Sequence, residues 1–256
     1  MAIASRTASG PRTLTIDVGG SGLKASVLDA RGAMLVERVR VPTPVGRPPA
    51  LVIEALARLV ASLPAYDRVS VGFPGVVRDG KVLTAPNLGH GAWAGFDLAR
   101  ALRRRLGKPT RIANDADLQG LAVVKGRGVE LVITLGTGFG TALYWDGRLA
   151  PHLEVAHHPF RKGQTYEEQL GNAARKRIGN KKWSRRLERA IETLRLLTHF
   201  DHLYIGGGNA RKLRFDLDPD VTLVSNEAGI RGGIALWRAG AVRTDPRKRR
   251  ATGAGA

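Results

Sequence analysis

Four short stretches of this 256-residue chain hold residue types that could do chemistry. LTIDVGGSGLK at 14–24 runs from an apolar segment through Asp17 and three glycines to Lys24, and LVITLGTGFG at 131–140 repeats that pattern. IGGGNAR at 205–211 is a third glycine cluster, and NDAD at 114–117 gathers Asn114, Asp115 and Asp117. A glycine turn between strands needs only the positive φ angles that glycine supplies, so one such loop says little. Neither loop has the Gly-Lys-Ser/Thr ending of a Walker loop or the Gly-x-Gly-x-x-Gly spacing of a dinucleotide fingerprint. Two of them at corresponding places in the two halves of a chain say more. Their backbone N–H groups, with the hydroxyls of Ser21, Thr137 and Thr141, suit an anion. The third cluster follows a strand and is expected to open a helix, whose N-terminus also favours phosphate. Gly19, Gly20, Ser21, Gly22, Gly136, Thr137, Gly138, Gly140, Gly207, Gly208 and Asn209 are therefore candidate phosphate-binding residues.

Phosphoryl transfer asks a protein to place a hydroxyl in line with a terminal phosphate, to accept its proton and to stabilise the oxygens. Asp115, where a strand ends and a helix begins, could be that proton acceptor, since an unperturbed aspartate with a pKa of about 3.9 is ionised at neutral pH. Asn114, Asp115 and Asp117 could equally cap the helix, where Asn and Asp are favoured. Asp17, a strand-end carboxylate beside a phosphate loop, offers a hard oxygen to magnesium through water. Lys24 either neutralises phosphate charge or lies on the exposed face of the second strand. His152, His157 and His158 share one loop, as a metal site or as exposed side chains. With no cysteine, disulfides, thiolate zinc sites and thiol nucleophiles are excluded.

The elements that must position these residues repeat. Strands are predicted at 14–18, 24–29 and 34–41, then a helix from Pro48-Pro49 to Leu63, a strand at 69–71 running into Gly-Phe-Pro-Gly75, a helix at 96–106 and a strand at 111–113. The pattern restarts with strands at 131–135, 141–145 and 148–150. Helices follow from Tyr166 and from Trp183, then strands at 203–205 and 221–224 and a closing helix at 228–239. The reading is an α/β chain of two similar lobes facing each other across a cleft. Its expected domains are a flexible leader at 1–12, an N-terminal lobe at 13–115, and a C-terminal lobe at 116–240 whose last helix packs back on the first lobe. A disordered basic tail at 241–256 completes the chain.

Lys and Arg number 41 against 22 Asp and Glu, a formal charge of +19 that points to a polyanionic partner. Arg175–Arg189 holds eight basic residues and one acid, with Lys182, Arg185, Arg186 and Arg189 at helical spacing. A solvated helix face usually mixes its signs, whereas a track for an extended polyphosphate would not. No apolar run approaches a membrane span and the start lacks a signal-peptide core, so a cytoplasmic protein is expected.

DVGGSGLK, GFPG, NDAD, LGTGFGTA, EVAH and IGGGNARK, in this order, resemble the ROK family of repressors and sugar kinases, with an actin-like, ribonuclease H-like fold. The Gly-Ser-Gly-Leu-Lys form of the first loop is similar to that family's polyphosphate glucokinase branch. The resemblance implies a sugar kinase that uses Mg2+ to move a phosphoryl group from polyphosphate, ATP or both to the 6-hydroxyl of glucose. Under it, Asp115 is the base, while Asn114, Glu154, His157 and Glu167 bind the sugar and Gly75 lets backbone approach it. Ala156 and His158 depart from the family's Glu-x-Gly-His pattern, and the missing cysteines imply no structural zinc. A homodimer is implied, and a membrane partner is not. The alternatives are an ATP-dependent hexokinase for mannose or fructose, and a non-catalytic sugar sensor or nucleic-acid-associated protein. The leader is expected to be too short for a helix-turn-helix.

Overall fold

The computed structural model describes residues 10–46, 48–225 and 228–238. The expected basic tail at 241–256 and positions 1–9 of the leader lie outside the described residues. Two compact units emerge, one of residues 10–115 with 233–238 and one of residues 116–232.

The first unit is built on β1 (Thr13–Val18), β2 (Gly22–Leu28), β3 (Val39–Pro42), α1 (Pro49–Val60) and β4 (Arg68–Phe73). A small ribbon of β5 (Val77–Arg78) and β6 (Lys81–Val82), then α2 (His90–Trp93), α3 (Leu98–Leu106) and β7 (Thr110–Asn114) complete it. Its sheet has the order β3-β2-β1-β4-β7, antiparallel in the hairpins β1–β2 and β2–β3 and parallel from β1 to β4 to β7. The central strands are buried, so they read as nearly continuous apolar runs. Leu14, Ile16, Val69 and Val71 pack with Val52 and Leu56 of α1 and Leu98 and Leu102 of α3 in one core.

The predicted strand 34–41 is shorter than expected. Met34 makes an isolated bridge to Leu28, and pairing with β2 resumes only at Val39. Between them the Ser26 hydroxyl donates to the Val36 carbonyl at 3.0 Å, so a side chain meets a need that a ladder partner would otherwise meet. The helix predicted from Phe96 starts at Leu98, because Asp97 caps it by accepting from the Arg100 N–H. Phe96 packs instead edge-on to Trp93.

The helix α4 (Asp115–Gly120) begins at the boundary between the units. The second unit then holds β8 (Val129–Leu135), β9 (Phe139–Trp145), β10 (Arg148–Leu149), and a ribbon of β11 (Pro159–Arg161) and β12 (Gln164–Thr165). After these come α5 (Tyr166–Leu170), α6 (Asn172–Thr198), β13 (His202–Gly206), β14 (Val221–Leu223) and α7 (Ala228–Ala235). The sheet order β10-β9-β8-β13-β14 repeats the first unit's sequence of antiparallel then parallel neighbours. Leu131, Ile133, Leu203 and Ile205 pack with Trp183, Leu187 and Leu194 of α6.

Three expectations for this half are corrected. The helix predicted from Trp183 starts at Asn172, and Gly179, at φ 77° and ψ 159°, interrupts it and breaks the periodicity that would have revealed its first turns. Only a single 3-10 turn, Ala210–Lys212, follows the third glycine cluster, so no helix dipole aids that loop. The closing helix ends at Ala235 rather than 239, and position 239 itself lies outside the described residues. Beyond it, Trp237 donates from Nε1 to the Ser70 hydroxyl at 2.8 Å, and Arg111 donates to the Leu236 carbonyl at 2.7 Å. The Arg111 guanidinium lies 4.5 Å from the centre of a Trp237 ring. Among the described residues no helix is long and apolar enough to cross a membrane.

Trp183 is wholly buried and donates from Nε1 to the Leu170 carbonyl at 2.7 Å, fastening α6 to the end of α5. Trp183→Phe keeps most of the apolar volume and leaves that carbonyl unpaired, which should cost about 1–3 kcal/mol. Urea unfolding should show a lower midpoint, whereas an unchanged midpoint would mean the indole N–H adds nothing.

Candidate active site

In the first unit the glycine turn is a fixed object. The Gly19 N–H donates to the Gly22 carbonyl at 3.0 Å, and the Thr43 hydroxyl donates to the Gly19 carbonyl at 2.6 Å. Ser21 at its tip is exposed, as an anion-binding hydroxyl must be. The register places Asp17 opposite Lys24 and Lys24 opposite Arg40, so three charged side chains form one row across β1, β2 and β3. Lys24 Nζ lies 2.7 Å from Asp17 Oδ2, both side chains being partly exposed. Lys24 is thus neither a free phosphate ligand nor a fully exposed strand residue, because it already neutralises the carboxylate beside the loop. One Asp17 oxygen is taken by that pair. A single partly exposed carboxylate still suits magnesium held through water, an ion that keeps several waters and is completed by substrate phosphates.

Arg40 is a residue that sequence reasoning missed. Its guanidinium lies where a side chain on Gly22 would sit, with Nε 2.8 Å from the position of a Cβ built there. The signal was the strand register, which the overlong third strand had obscured.

At the other end of this sheet, Asn114 is buried and donates from Nδ2 to the Gly75 carbonyl at 3.1 Å, so these two candidates meet directly. A Cβ on Gly75 would lie 2.1 Å from the Thr84 carbonyl oxygen, a close approach that only glycine tolerates. Asp115 follows as the exposed first residue of α4.

In the second unit the turn between β8 and β9 meets the third cluster. The Asn209 N–H donates to the Leu135 carbonyl at 2.9 Å, and its side-chain amide donates to the Gly136 carbonyl at 3.0 Å. Gly207, at φ 89°, lies against Leu135 so closely that a Cβ would come within 2.4 Å of its carbonyl oxygen. The Asn172 N–H donates to the Thr137 carbonyl at 3.0 Å, leaving the Thr137 side chain exposed at the tip. Thr141 is a correction: it is buried and gives its hydroxyl to the Leu153 carbonyl at 2.7 Å, tying β9 to the loop at 151–158 rather than facing an anion.

That loop carries Glu154 and His157, and the start of α5 brings Glu167 to it. The Glu167 N–H donates to the Ala156 carbonyl at 2.9 Å, and the Tyr166 N–H donates to the His158 carbonyl. The Glu167 carboxylate also lies against Gly138, 2.6 Å from where a Cβ would be. Ala156, which stands in place of the family's glycine, is not among the residues with positive φ, so the substitution brings no backbone strain. His157 and His158 are exposed.

His152 behaves differently from the other two histidines. Its side chain is only 6% exposed, with Nδ1 3.0 Å from Asp117 Oδ1 and Nε2 3.6 Å from Glu154 Oε2. The first contact is a hydrogen bond, and the second is long enough to be an ion pair only. Burial by itself would depress the imidazole, but the Asp117 bond and the Glu154 charge outweigh it and push His152 up to about 10. His152 in turn holds Glu154 below its usual range, against burial, with help from the charge of His157. Neither a loop metal ligand nor an exposed side chain, His152 orients Glu154 from behind. Its sequence signal was faint: a histidine two residues before Glu154 and an aspartate two after Asp115. Among the described residues no group of three or more His, Asp or Glu is placed to hold a metal ion.

The sequence profile described as the ROK family matches residues 13–153. The polyphosphate glucokinase of Mycobacterium tuberculosis (strain CDC 1551 / Oshkosh) is 30% identical over 225 residues, covering 84% of this chain and 83% of that protein. The crystal structure of an inorganic polyphosphate/ATP-glucomannokinase from Arthrobacter sp. strain KM superposes with a TM-score of 0.79 at 35% identity. That match covers 90% of this chain and all of the other. A ROK family glucokinase from Streptomyces griseus, in complex with glucose and AMPPNP, shares the fold at a TM-score of 0.70 and 18% identity, covering 88% of this chain and 97% of that one. The architecture is that of the actin-like phosphotransferases.

Because His152 titrates near 10 in the folded chain against its usual 6.5, its pairing contributes stability in full below about pH 6.5 and loses it as the pH rises through about 10. In a nitrogen-detected NMR titration both His152 ring nitrogens should remain protonated at pH 8. Loss of the imidazolium below that pH would contradict the ion pair.

Proposed function

The chain belongs to the ROK family, and from that premise we propose that it is a sugar kinase that transfers a phosphoryl group from inorganic polyphosphate, ATP or both to the 6-hydroxyl of glucose. The observation that carries the reading is the likeness, at 30% and 35% identity over more than four fifths of the chain, to two proteins named for polyphosphate and for glucose or glucomanno acceptors. The second of those names also favours mannose as an acceptor. A cytoplasmic homodimer belongs to the same reading.

In this proposal Asn114 and Gly75, joined by their hydrogen bond, bind sugar hydroxyls together with Glu154, His157 and Glu167. Buried sugar hydroxyls need such fixed partners, since each one left unpaired is costly. Asp115 accepts the proton of the 6-hydroxyl as its oxygen bonds to the terminal phosphorus. The phosphoanhydride bond to the rest of the donor breaks, leaving a chain one phosphate shorter or ADP. Backbone N–H groups of Gly20, Gly22, Gly138, Gly140, Gly207 and Gly208, with Ser21, Thr137 and Asn209, cradle the phosphates, while Gly19 and Gly136 shape the two turns by giving their N–H groups to the Gly22 and Gly138 carbonyls. Asp17, held by Lys24, would hold Mg2+ through water. When bound, that ion offsets negative charge on the donor oxygens. Arg40, in the same row of charges, gives the donor a cation that Lys24, bound to its own carboxylate, supplies only in part.

Glucose 6-phosphate formation measured separately with polyphosphate and with ATP, in the presence of magnesium, tests the activity. No product with either donor refutes it. Asp115→Asn should lower kcat by about 10²–10⁴-fold while glucose still binds, as followed by calorimetry. Retained turnover would assign the proton to another group.

A further inference from the structure

A second charged feature lies outside every residue assigned to transfer. Lys182, Arg185, Arg186 and Arg189 of α6 and Arg161 of β11 line an open cavity of about 340 Å³. They come from two elements that the sequence separates by some twenty residues, so the cavity is not merely the face of one helix. Among the described residues none of the five forms an ion pair, and Glu188 and Glu192, the acids nearest on α6, pair with none of them. In the same unit Arg195, by contrast, is paired with Asp218 and Asp220.

Arg186 marks the cavity as a site rather than a solvated surface. Its Nη1 is shut off from solvent and, among the described residues, has no hydrogen-bond partner. Burial, and then the like charges of Arg161 and Arg177, work against its protonated form. A guanidinium nitrogen held out of water with no acceptor is an expense that a bound anion would remove. The fork of donors on each arginine matches phosphate oxygens, and several cations around one cavity match a chain of repeated phosphates better than a single carboxylate.

We propose that this cavity is a binding site for inorganic polyphosphate, holding a stretch of the donor chain away from the phosphate being transferred. The proposal rests on polyphosphate being a donor, as inferred above, and it deepens that reading by separating a tethering site from the transfer site. A tether adds affinity only for a chain long enough to reach both places, and so it discriminates by length. ATP and tripolyphosphate occupy the transfer site alone.

The test uses the full chain and the variant Arg185→Gln/Arg189→Gln, which alters two exposed side chains and leaves the half-buried Arg186 in place. Binding of long-chain polyphosphate is measured by calorimetry without sugar, and KM is measured for ATP, tripolyphosphate and long-chain polyphosphate. The variant should bind the long chain about tenfold more weakly, with a shallower dependence on salt because fewer counterions are released. Its KM for ATP and tripolyphosphate and its thermal midpoint should stay unchanged. Arg185→Lys/Arg189→Lys should restore most of the loss.

Equal long-chain binding by wild type and the Gln variant overturns the site. So does an equal rise in KM for all three donors, which would place the two arginines in the transfer machinery. If the wild type phosphorylates glucose from ATP only, the donor assignment fails. The binding measurement still decides the cavity: a long chain bound by the wild type and lost by the variant supports it, and no binding by the wild type refutes it.

Discussion

A charge taken out of water must be met by an opposite charge or by donors and acceptors that replace its hydration. His152 in the second unit meets that constraint in full, set between Asp117 and Glu154. A protonated imidazole there lets Glu154 stay ionised at half-buried depth. It also joins the loop at 151–158 to α4, whose Asp117 carbonyl takes the Tyr144 hydroxyl as well. Arg186 meets the same constraint incompletely, with one donor unmatched. His152 holds protein groups in place, whereas Arg186 keeps a donor that no group among the described residues takes.

The first unit applies the same rule more gently, at its surface. Asp17, Lys24 and Arg40 form one row across three strands, in which Lys24 sits between a carboxylate and a second cation and pairs with the carboxylate, while among the described residues Arg40 makes no ion pair. Opposite charges on neighbouring strands cost little to assemble there, because water still reaches them. What they add is order, since Lys24 limits the directions Asp17 can take.

Much of the fold was legible because its signals are local. The turns at Gly19–Gly22 and Gly136–Gly138 lie between strands whose apolar runs are nearly unbroken, and their repetition in the two halves marked a duplicated architecture. The meeting of Asn114 with Gly75 was not legible, although both were singled out, because their contact spans 39 positions. The Asp117, His152 and Glu154 cluster escaped notice for the same reason, and His152 looked like one of three loop histidines. Thr141 misled because strand alternation does not say which hydroxyl a neighbouring loop will claim. Gly179 hid the first turns of α6, since periodicity counted across a non-helical residue loses its phase.

Ala156 bears on how relatives of this chain are recognised. Its backbone lies outside the left-handed region that favours glycine, while its carbonyl still receives the Glu167 N–H. A signature that insists on glycine between the glutamate and the histidine is therefore stricter than the turn itself. Sequences with a small side chain there can keep the same hydrogen bond, and a pattern written around the glycine would leave them uncounted.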